Sequence, residues 1–303
     1  MSKLLPPHEL QMINERMYNR KHIDSYIEQE ITANPDMVVK IEQGIVLLNE
    51  WLNHSYYDSK NARLEQVKNL DLYPLIKDIF VGVAYCQIPE LFTSVTAQLA
   101  SRLKFSNKAD GITTIAEIVA VLCQTDAFDI IKKDKFSSLM IQSRIPISDK
   151  VIRYVEQSNY LPPLVCEPEE LTSNYQSVYL SHNDSLILGA GNHHDGDICL
   201  DVINSKNKVA LSLDVDFLSA VEEEPTFEID TVLKQQHWSK YKADSYKFYD
   251  LMVKQGNKFY LSNKVDKRGR SYAQGYHITT QGTAFKKAMI ELADKEIVDG
   301  VPQ

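Results

Sequence analysis

Apolar residues recur at helical spacing through most of the first half of the chain. Leu10, Ile13 and Met17, then Ile23, Tyr26, Ile27 and Ile31, predict helix over residues 8–33. Asn34-Pro35 punctuates the chain, and Val39, Ile41, Ile45, Val46, Leu48 and Trp51 carry the pattern through residues 36–54. Further helices are expected over 72–85, 89–103 and 113–124, and an extended segment over 136–147. These helices offer no glycine-rich loop, nucleophile elbow or paired-histidine motif, so no chemistry is read from them.

Prolines then change the pattern. Residues 161–168 contain Pro162, Pro163 and Pro168, which fix their own φ and restrict their predecessors, so a boundary falls there. A strand pair is expected at 177–180 and 185–188. A long helix should follow from Asp197, its N-cap, to about Ala220. Glu222-Glu223-Glu224-Pro225 breaks the chain again. Residues 230–256 read as one or two basic helices, 259–265 as a short strand and 280–297 as a closing helix. The expected fold is α+β and predominantly helical. Its parts are a helical domain over 1–162, a connecting region with the long helix over 163–225, basic helices over 226–258, and a final segment over 259–303.

Composition narrows the picture. A chain of 303 residues with 44% apolar content can bury a substantial core. No run approaches eighteen apolar residues, and Met1–Leu10 lacks the charged and apolar regions of a signal peptide. The expectation is a soluble, cytoplasmic protein with no membrane segment. Cys86, Cys123, Cys166 and Cys199 lie among apolar neighbours without metal-binding spacing and read as small reduced core residues.

The net charge of −8 is unevenly distributed. Residues 231–287 hold twelve Lys/Arg against Asp244, Asp250 and Asp266, an excess of +9, and the remainder carries −17. An acidic body with a basic C-terminal third suits either a protein that meets a polyanion on one face or an ordinary solvated surface.

The densest candidate chemistry is Asp266-Lys-Arg-Gly-Arg-Ser-Tyr272. Gly269 permits close backbone approach, Arg268 and Arg270 present forks that match phosphate oxygens bidentately, and Asp266 can orient one of them. Tyr272 adds a flat face and a hydroxyl suited to a sugar or a base. Two other segments compete for attention. His193, His194, Asp195 and Asp197 in residues 192–197 are good metal ligands by type, but adjacent residues rarely converge on one ion. They leave a metal-dependent hydrolase as a weaker alternative to a polar capping loop. In 237–249, Trp238, Tyr241 and Phe248 recur at helical spacing and read as core, with Lys240, Lys242 and Lys247 on the outer face.

Five blocks in order give a resemblance. The segment around Asp266, Arg268, Gly269, Arg270 and Tyr272 resembles the Asp-x-x-Gly-Arg motif of single-subunit phage and mitochondrial RNA polymerases, with Lys267 departing from the family's aromatic residue. Gln281-Gly282 followed by Lys287, Leu292 and Ala293 is similar to the family's Gln-Gly helix. Residues 252–259 resemble the helix end leading into its palm. Residues 163–168 with Tyr179-Leu180 resemble a proline-rich block, although Ser177 and Val178 replace its tandem glycines. Ile203-Asn204 through Leu218 resembles a further helix, with Leu211 in place of tryptophan. The first 160 residues match only in helical character.

The resemblance implies that 226–258 is a short thumb and 259–303 the start of a palm. It implies templated ribonucleotide addition with two Mg²⁺ ions. The family's metal-binding aspartates lie well beyond the Gly-Arg motif, so this chain is expected to be the N-terminal subunit of a split phage enzyme. No catalytic residue is expected in it. A second subunit with palm and fingers would bind Mg²⁺ and nucleoside triphosphates, in the host cytoplasm if the source is viral. This chain would hold template DNA and the RNA–DNA hybrid through Arg268 and Arg270, Tyr272, and Lys286 or Lys287. A non-catalytic, DNA-binding transcription accessory protein is the alternative reading.

Overall fold

The computed structural model describes residues 5–132, 138–157, 160–189, 197–295 and 300. Contacts divide the chain into two compact units, residues 20–158, and residues 1–19 together with 159–303. Helix outweighs strand in both, with small antiparallel sheets, in agreement with the expected, predominantly helical α+β class. No helix among the described residues is long and apolar enough to cross a membrane.

Helix α1 (Pro7–Tyr18) ends where Asn19 turns extended, with φ −80° and ψ 119°. The single helix expected over 8–33 is therefore two. Asn19 is buried, and its side-chain amide meets the ring of His182 at 3.1 Å. Leu10, Ile13 and Met17 do not form the buried stripe of α1. Ile13 is exposed, and the face turned inward carries Gln11, Asn14 and Glu15.

Unit 20–158 is a helical body built on α2 (Arg20–Ala33), α3 (Pro35–Asn53), α4 (Asp58–Lys68), α5 (Leu72–Val83), β1 (Glu90–Leu91), α6 (Phe92–Leu99), α7 (Lys108–Leu122), β2 (Phe128–Ile131), β3 (Met140–Ser143) and α8 (Asp149–Gln157). Its helices start where the sequence supplies caps. Asn34 accepts from the amides of Asp36 and Met37, and Asn107 from those of Ala109 and Asp110. Ile23, Ile27 and Ile31 of α2 join Met37, Ile41 and Leu48 of α3, Ile76 and Phe80 of α5, and Ile118 and Leu122 of α7 in one core. The strands pair in the order β1-β3-β2.

The second unit contains α9 (Leu200–Asn207), β4 (Leu211–Leu213), α10 (Val215–Ala220), α11 (Val232–Lys254), β5 (Asn263–Val265), β6 (Ser271–Ala273), α12 (Ala284–Ala288) and β7 (Ile290–Leu292). The long helix expected from Asp197 to Ala220 is broken into helix, strand and helix. Asn207, 1% exposed, stops α9 by accepting from both the backbone and the side-chain amide of Asn263. Leu211 and Phe259 then exchange both backbone hydrogen bonds at 2.8 Å, and the Asn257 side chain clamps Leu213 at N–H and C=O. Strand pairing outweighs helical spacing here because it satisfies both backbones and buries Leu211, Leu213 and Phe259 together.

The closing helix expected over 280–297 is likewise only α12, followed by β7 paired to β4 with Leu211 opposite Leu292 and Leu213 opposite Ile290. No strand pair forms between 177–180 and 185–188. Leu186 and Leu188 instead share backbone hydrogen bonds with Val265. The basic stretch at 230–256 is one helix, α11, whose Phe248, Tyr249 and Met252 enter the core. Apart from Asp197, the residues of the 192–197 segment lie outside those described.

Candidate nucleic-acid interface

Strands β5 and β6 form a hairpin, with Lys264 opposite Tyr272 and Val265 opposite Ser271. Its tip is Asp266 to Arg270. Gly269 N–H donates to Asp266 C=O, and Asp266 N–H to Arg270 C=O, each at 2.9 Å. The turn requires φ +78° at Gly269, a backbone state that glycine adopts without steric cost.

Asp266 organises this tip. Its Oδ1 accepts the amides of Arg268 and Arg270 at 2.9 and 3.0 Å. Its Oδ2 accepts Nε of Arg270 at 2.8 Å, Nη2 of Arg270 at 2.7 Å, and Nη2 of Arg268 at 3.2 Å. Tyr272 Oη donates to the same oxygen at 3.4 Å, and the Arg270 guanidinium lies 5.6 Å from the Tyr272 ring centre. Desolvation works to raise the Asp266 pKa, but the side-chain and backbone hydrogen bonds from Arg270 outweigh it and hold the carboxyl below its usual range.

The sequence leads one to expect bidentate phosphate forks. In the structure the Nε/Nη2 edges of both arginines meet Asp266, which leaves their Nη1 groups free of that carboxylate. The Arg268 and Arg270 side chains remain 70% and 53% exposed. With Lys267, the tip carries three cations against one carboxylate, so it stays electropositive after the internal pairing.

Two residues whose contacts the sequence does not disclose, Gln281 and Lys206, support the hairpin. Gln281 brackets β6, accepting from Ala273 N–H at 3.0 Å and donating to Ser271 C=O at 3.2 Å. Lys206 of α9 donates to Ser271 Oγ and brings another cation alongside. Gln281 belongs to the Gln-Gly block, but its spelling does not reveal that the side chain acts as a strand edge.

Lys286 and Lys287 stand apart from the tip. Lys287 is exposed, whereas Lys286 is buried and donates to Tyr276 C=O. The Lys286 ammonium lies 5.3 and 5.0 Å from the ring centres of Tyr241 and Tyr276, and burial lowers its pKa against the opposing pull of Glu223. Beside it His277, also buried, hydrogen-bonds through Nδ1 to Ser245 Oγ at 2.7 Å and stacks on Phe248.

The basic third is less bare than its sequence suggests. Lys240 and Lys247 pair with Asp244, and Lys254 with Asp250. Glu222, Asp230, Asp184 and Asp294 fold in from outside residues 231–287 to pair with Lys242, Lys234, Lys264 and Lys258. These four acids bring the local excess from +9 down to +5. The outer face of α11 is thus largely self-paired, and the hairpin tip is the sharper electropositive feature.

The two described carboxylates that follow Arg270 are both paired with lysine. Glu291 pairs with Lys295 and Asp294 with Lys258, while Asp266 upstream is committed to arginine. Among the described residues, no group of three or more His, Cys, Asp or Glu converges on a metal position.

No protein-family model matches this sequence. Over 151 residues it is 28% identical to a probable DNA-directed RNA polymerase of Gelasinospora sp. (strain G114). That match covers 45% of this chain and 17% of the relative, so the chain spans about a sixth of that protein's length. The sequence is thus similar to part of a probable DNA-directed RNA polymerase.

Proposed function

We propose that this chain is the nucleic-acid-holding, N-terminal subunit of a split RNA polymerase of the single-subunit type. A partner chain would supply the palm and fingers, the carboxylates that hold Mg²⁺ and the nucleoside triphosphate site. The observation that carries this reading is the Asp266-ordered pair of arginines at the tip of the β5–β6 hairpin. Its position within the motif resemblance and the similarity to a DNA-directed RNA polymerase support it.

The chemistry assigned to this chain is positional. Mg²⁺ on the partner would stabilise the charge that develops as the new phosphodiester bond forms. Asp266 fixes two guanidinium groups without neutralising the tip. Their Nη1 groups then donate charge-assisted hydrogen bonds to phosphates of the template or hybrid. A rigid grip of this kind reduces the orientational freedom lost when the primer end meets the incoming nucleotide.

The test is the salt dependence of binding to an RNA–DNA hybrid, followed by fluorescence anisotropy of the labelled duplex. Replacing both Arg268 and Arg270 with alanine should weaken binding. It should flatten the slope of log affinity against log salt by about 0.9 for each phosphate that the protein no longer neutralises. Affinity and slope equal to those of the unaltered chain would overturn the assignment.

A further inference from the structure

Beyond Ala273 the second hairpin strand runs into a surface that the arginine tip does not use. The rings of Tyr160 and Tyr276 lie 3.9 Å apart and 3° from parallel, yet remain 36% and 44% exposed. Beside them opens a cavity of about 210 Å³, walled by Tyr160, Pro162, Pro163, Tyr179, Gln274 and Tyr276. Flat aromatic and proline walls favour a planar ring. Gln274 commits its amide group to Tyr272 C=O, which leaves its carbonyl oxygen to accept from the edge of such a ring. The volume is below the roughly 300–1,000 Å³ that enclose drug-sized ligands, so the space suits one ring system with its sugar and phosphate left in solvent.

The ledge is pre-organised. Lys286 lies 5.0 Å from the Tyr276 ring centre and donates to the Tyr276 carbonyl. At Gly275 an added Cβ would fall 2.2 Å from Ile278 O, so the backbone entering the ledge closes tightly on itself. Burial, together with a hydrogen bond to Tyr276, pushes the Tyr160 phenol up to about 12, and the phenol is neutral at physiological pH. Tyr276 follows Arg270 by six positions, a span of at most about 22 Å, so the cationic tip and the aromatic ledge lie within a few nucleotides of each other.

We propose that the Tyr160–Tyr276 ledge and its cavity bind an unpaired nucleobase of the strand whose phosphates the hairpin tip holds. This inference rests on the nucleic-acid-holding role proposed above. Stacking tolerates any base, and the electropositive tip beside the ledge selects a polyanionic strand over an uncharged aromatic ligand.

The test uses the full chain and single-stranded oligonucleotides carrying one 2-aminopurine, DNA in one arm and RNA in the other. Binding should quench the 2-aminopurine fluorescence. Tyr276→Ala should abolish the quenching and lower affinity roughly 5- to 150-fold, the range given by about 1–3 kcal/mol of base stacking. Tyr276→Phe should preserve both, and Tyr160→Ala should reproduce the loss at a second position. The arm that shows the larger loss identifies the strand. If Tyr276→Ala binds and quenches like the unaltered chain while Arg268 and Arg270 replacements weaken binding, the ledge is only a packing feature. If the unaltered chain binds neither strand, the ledge and the role beneath it both fall.

Discussion

Arg270 donates Nε and Nη2 to a single oxygen of Asp266, at 2.8 and 2.7 Å, while the other oxygen of that carboxylate holds the Arg270 amide. The side chain is thereby locked to its own loop at one edge and free of that carboxylate at the other. In an enzyme reconstituted with the proposed palm-bearing partner, Arg270→Ala should cut extension of a preformed hybrid by about a hundredfold, because misplacement near reacting atoms carries a cost of that order. Arg270→Lys should recover only part of the loss, since an ammonium cannot grip Asp266 at one edge and phosphate at the other. Extension rates, with assembly verified by gel filtration, decide the matter, and near-normal extension by Arg270→Ala would make the tip an ordinary basic turn.

Gly269 at the hairpin tip and Gly275 just beyond its second strand should respond differently to alanine. Gly269 has open space around it but φ +78°, so Gly269→Ala should cost about 1–2 kcal/mol, the penalty of a left-handed backbone for a residue with a side chain. At Gly275 an added methyl would sit 2.2 Å from the Ile278 carbonyl oxygen, and the backbone itself must move. Gly275→Ala should therefore be the more damaging change, with a larger loss on urea denaturation and weaker protection of the 271–279 amides in hydrogen exchange. The opposite order would mean that the exit from the hairpin is more pliable than its geometry indicates.

What could be read from the sequence follows physical lines. The α3 start was legible because Asn34 caps locally, whereas α7, expected from residue 113, begins five residues earlier at Lys108 behind the Asn107 cap. That Asp266 can orient an arginine beside Gly269 was legible because these residues act within five positions, but the return strand β6 was not expected. Strands β4 and β7 were not, since Leu211, Leu213 and Ile290 meet only through pairing across about eighty residues, and their spacing serves a helix equally well. The tip's Gln281 bracket and the burial of Lys286 among Tyr241 and Tyr276 depend on the same long-range closure. The self-pairing of the α11 lysines depends partly on acids brought back from Glu222 and Asp230.

Helix α1 shows the same limit most clearly, because its buried face is polar. Glu15 is 0% exposed and accepts from Gln11 Nε2 and from the amides of Leu180 and Ser181, each at 2.9 Å, as well as from Ser181 Oγ. Gln11 accepts from Val165 N–H, and Asn14 and Gln255 exchange two hydrogen bonds. Glu15→Ala would leave several buried donors unpartnered, and the expected loss of stability is about 3 kcal/mol. Glu15→Gln should lose less, because one carbonyl oxygen still accepts. Chemical denaturation of the two variants, followed in the 159–303 region, tests this, and a loss below about 1 kcal/mol for Glu15→Ala would show that α1 is dispensable to its unit.

His277 should make the stability of that unit depend on pH. Its ring is 4% exposed, and burial, aided by the nearby charges of Lys286 and Lys240 and opposed by Asp244, pushes its pKa down to about 4. In the unfolded chain the imidazole titrates near 6.5. Between these values the unfolded state binds the extra proton, so stability is fully present above pH 6.5 and erodes as pH falls toward 4. Below that window both states are protonated and the loss levels off at about 3 kcal/mol. The measurement is urea denaturation from pH 7.5 to 4, read through Trp238, which stacks on Tyr241 in the same cluster, with Trp51 replaced by phenylalanine. His277→Phe keeps the aromatic stack but removes the titration. It forfeits the Ser245 hydrogen bond, so its stability at pH 7.5 should drop by about 1 kcal/mol. Carboxylates titrate in both proteins, so the decisive quantity is the difference between their pH profiles. That difference should narrow as the pH falls from 6.5 and reverse in sign before pH 4, whereas parallel profiles would mean that His277 takes up its proton in the folded state as readily as in the unfolded one.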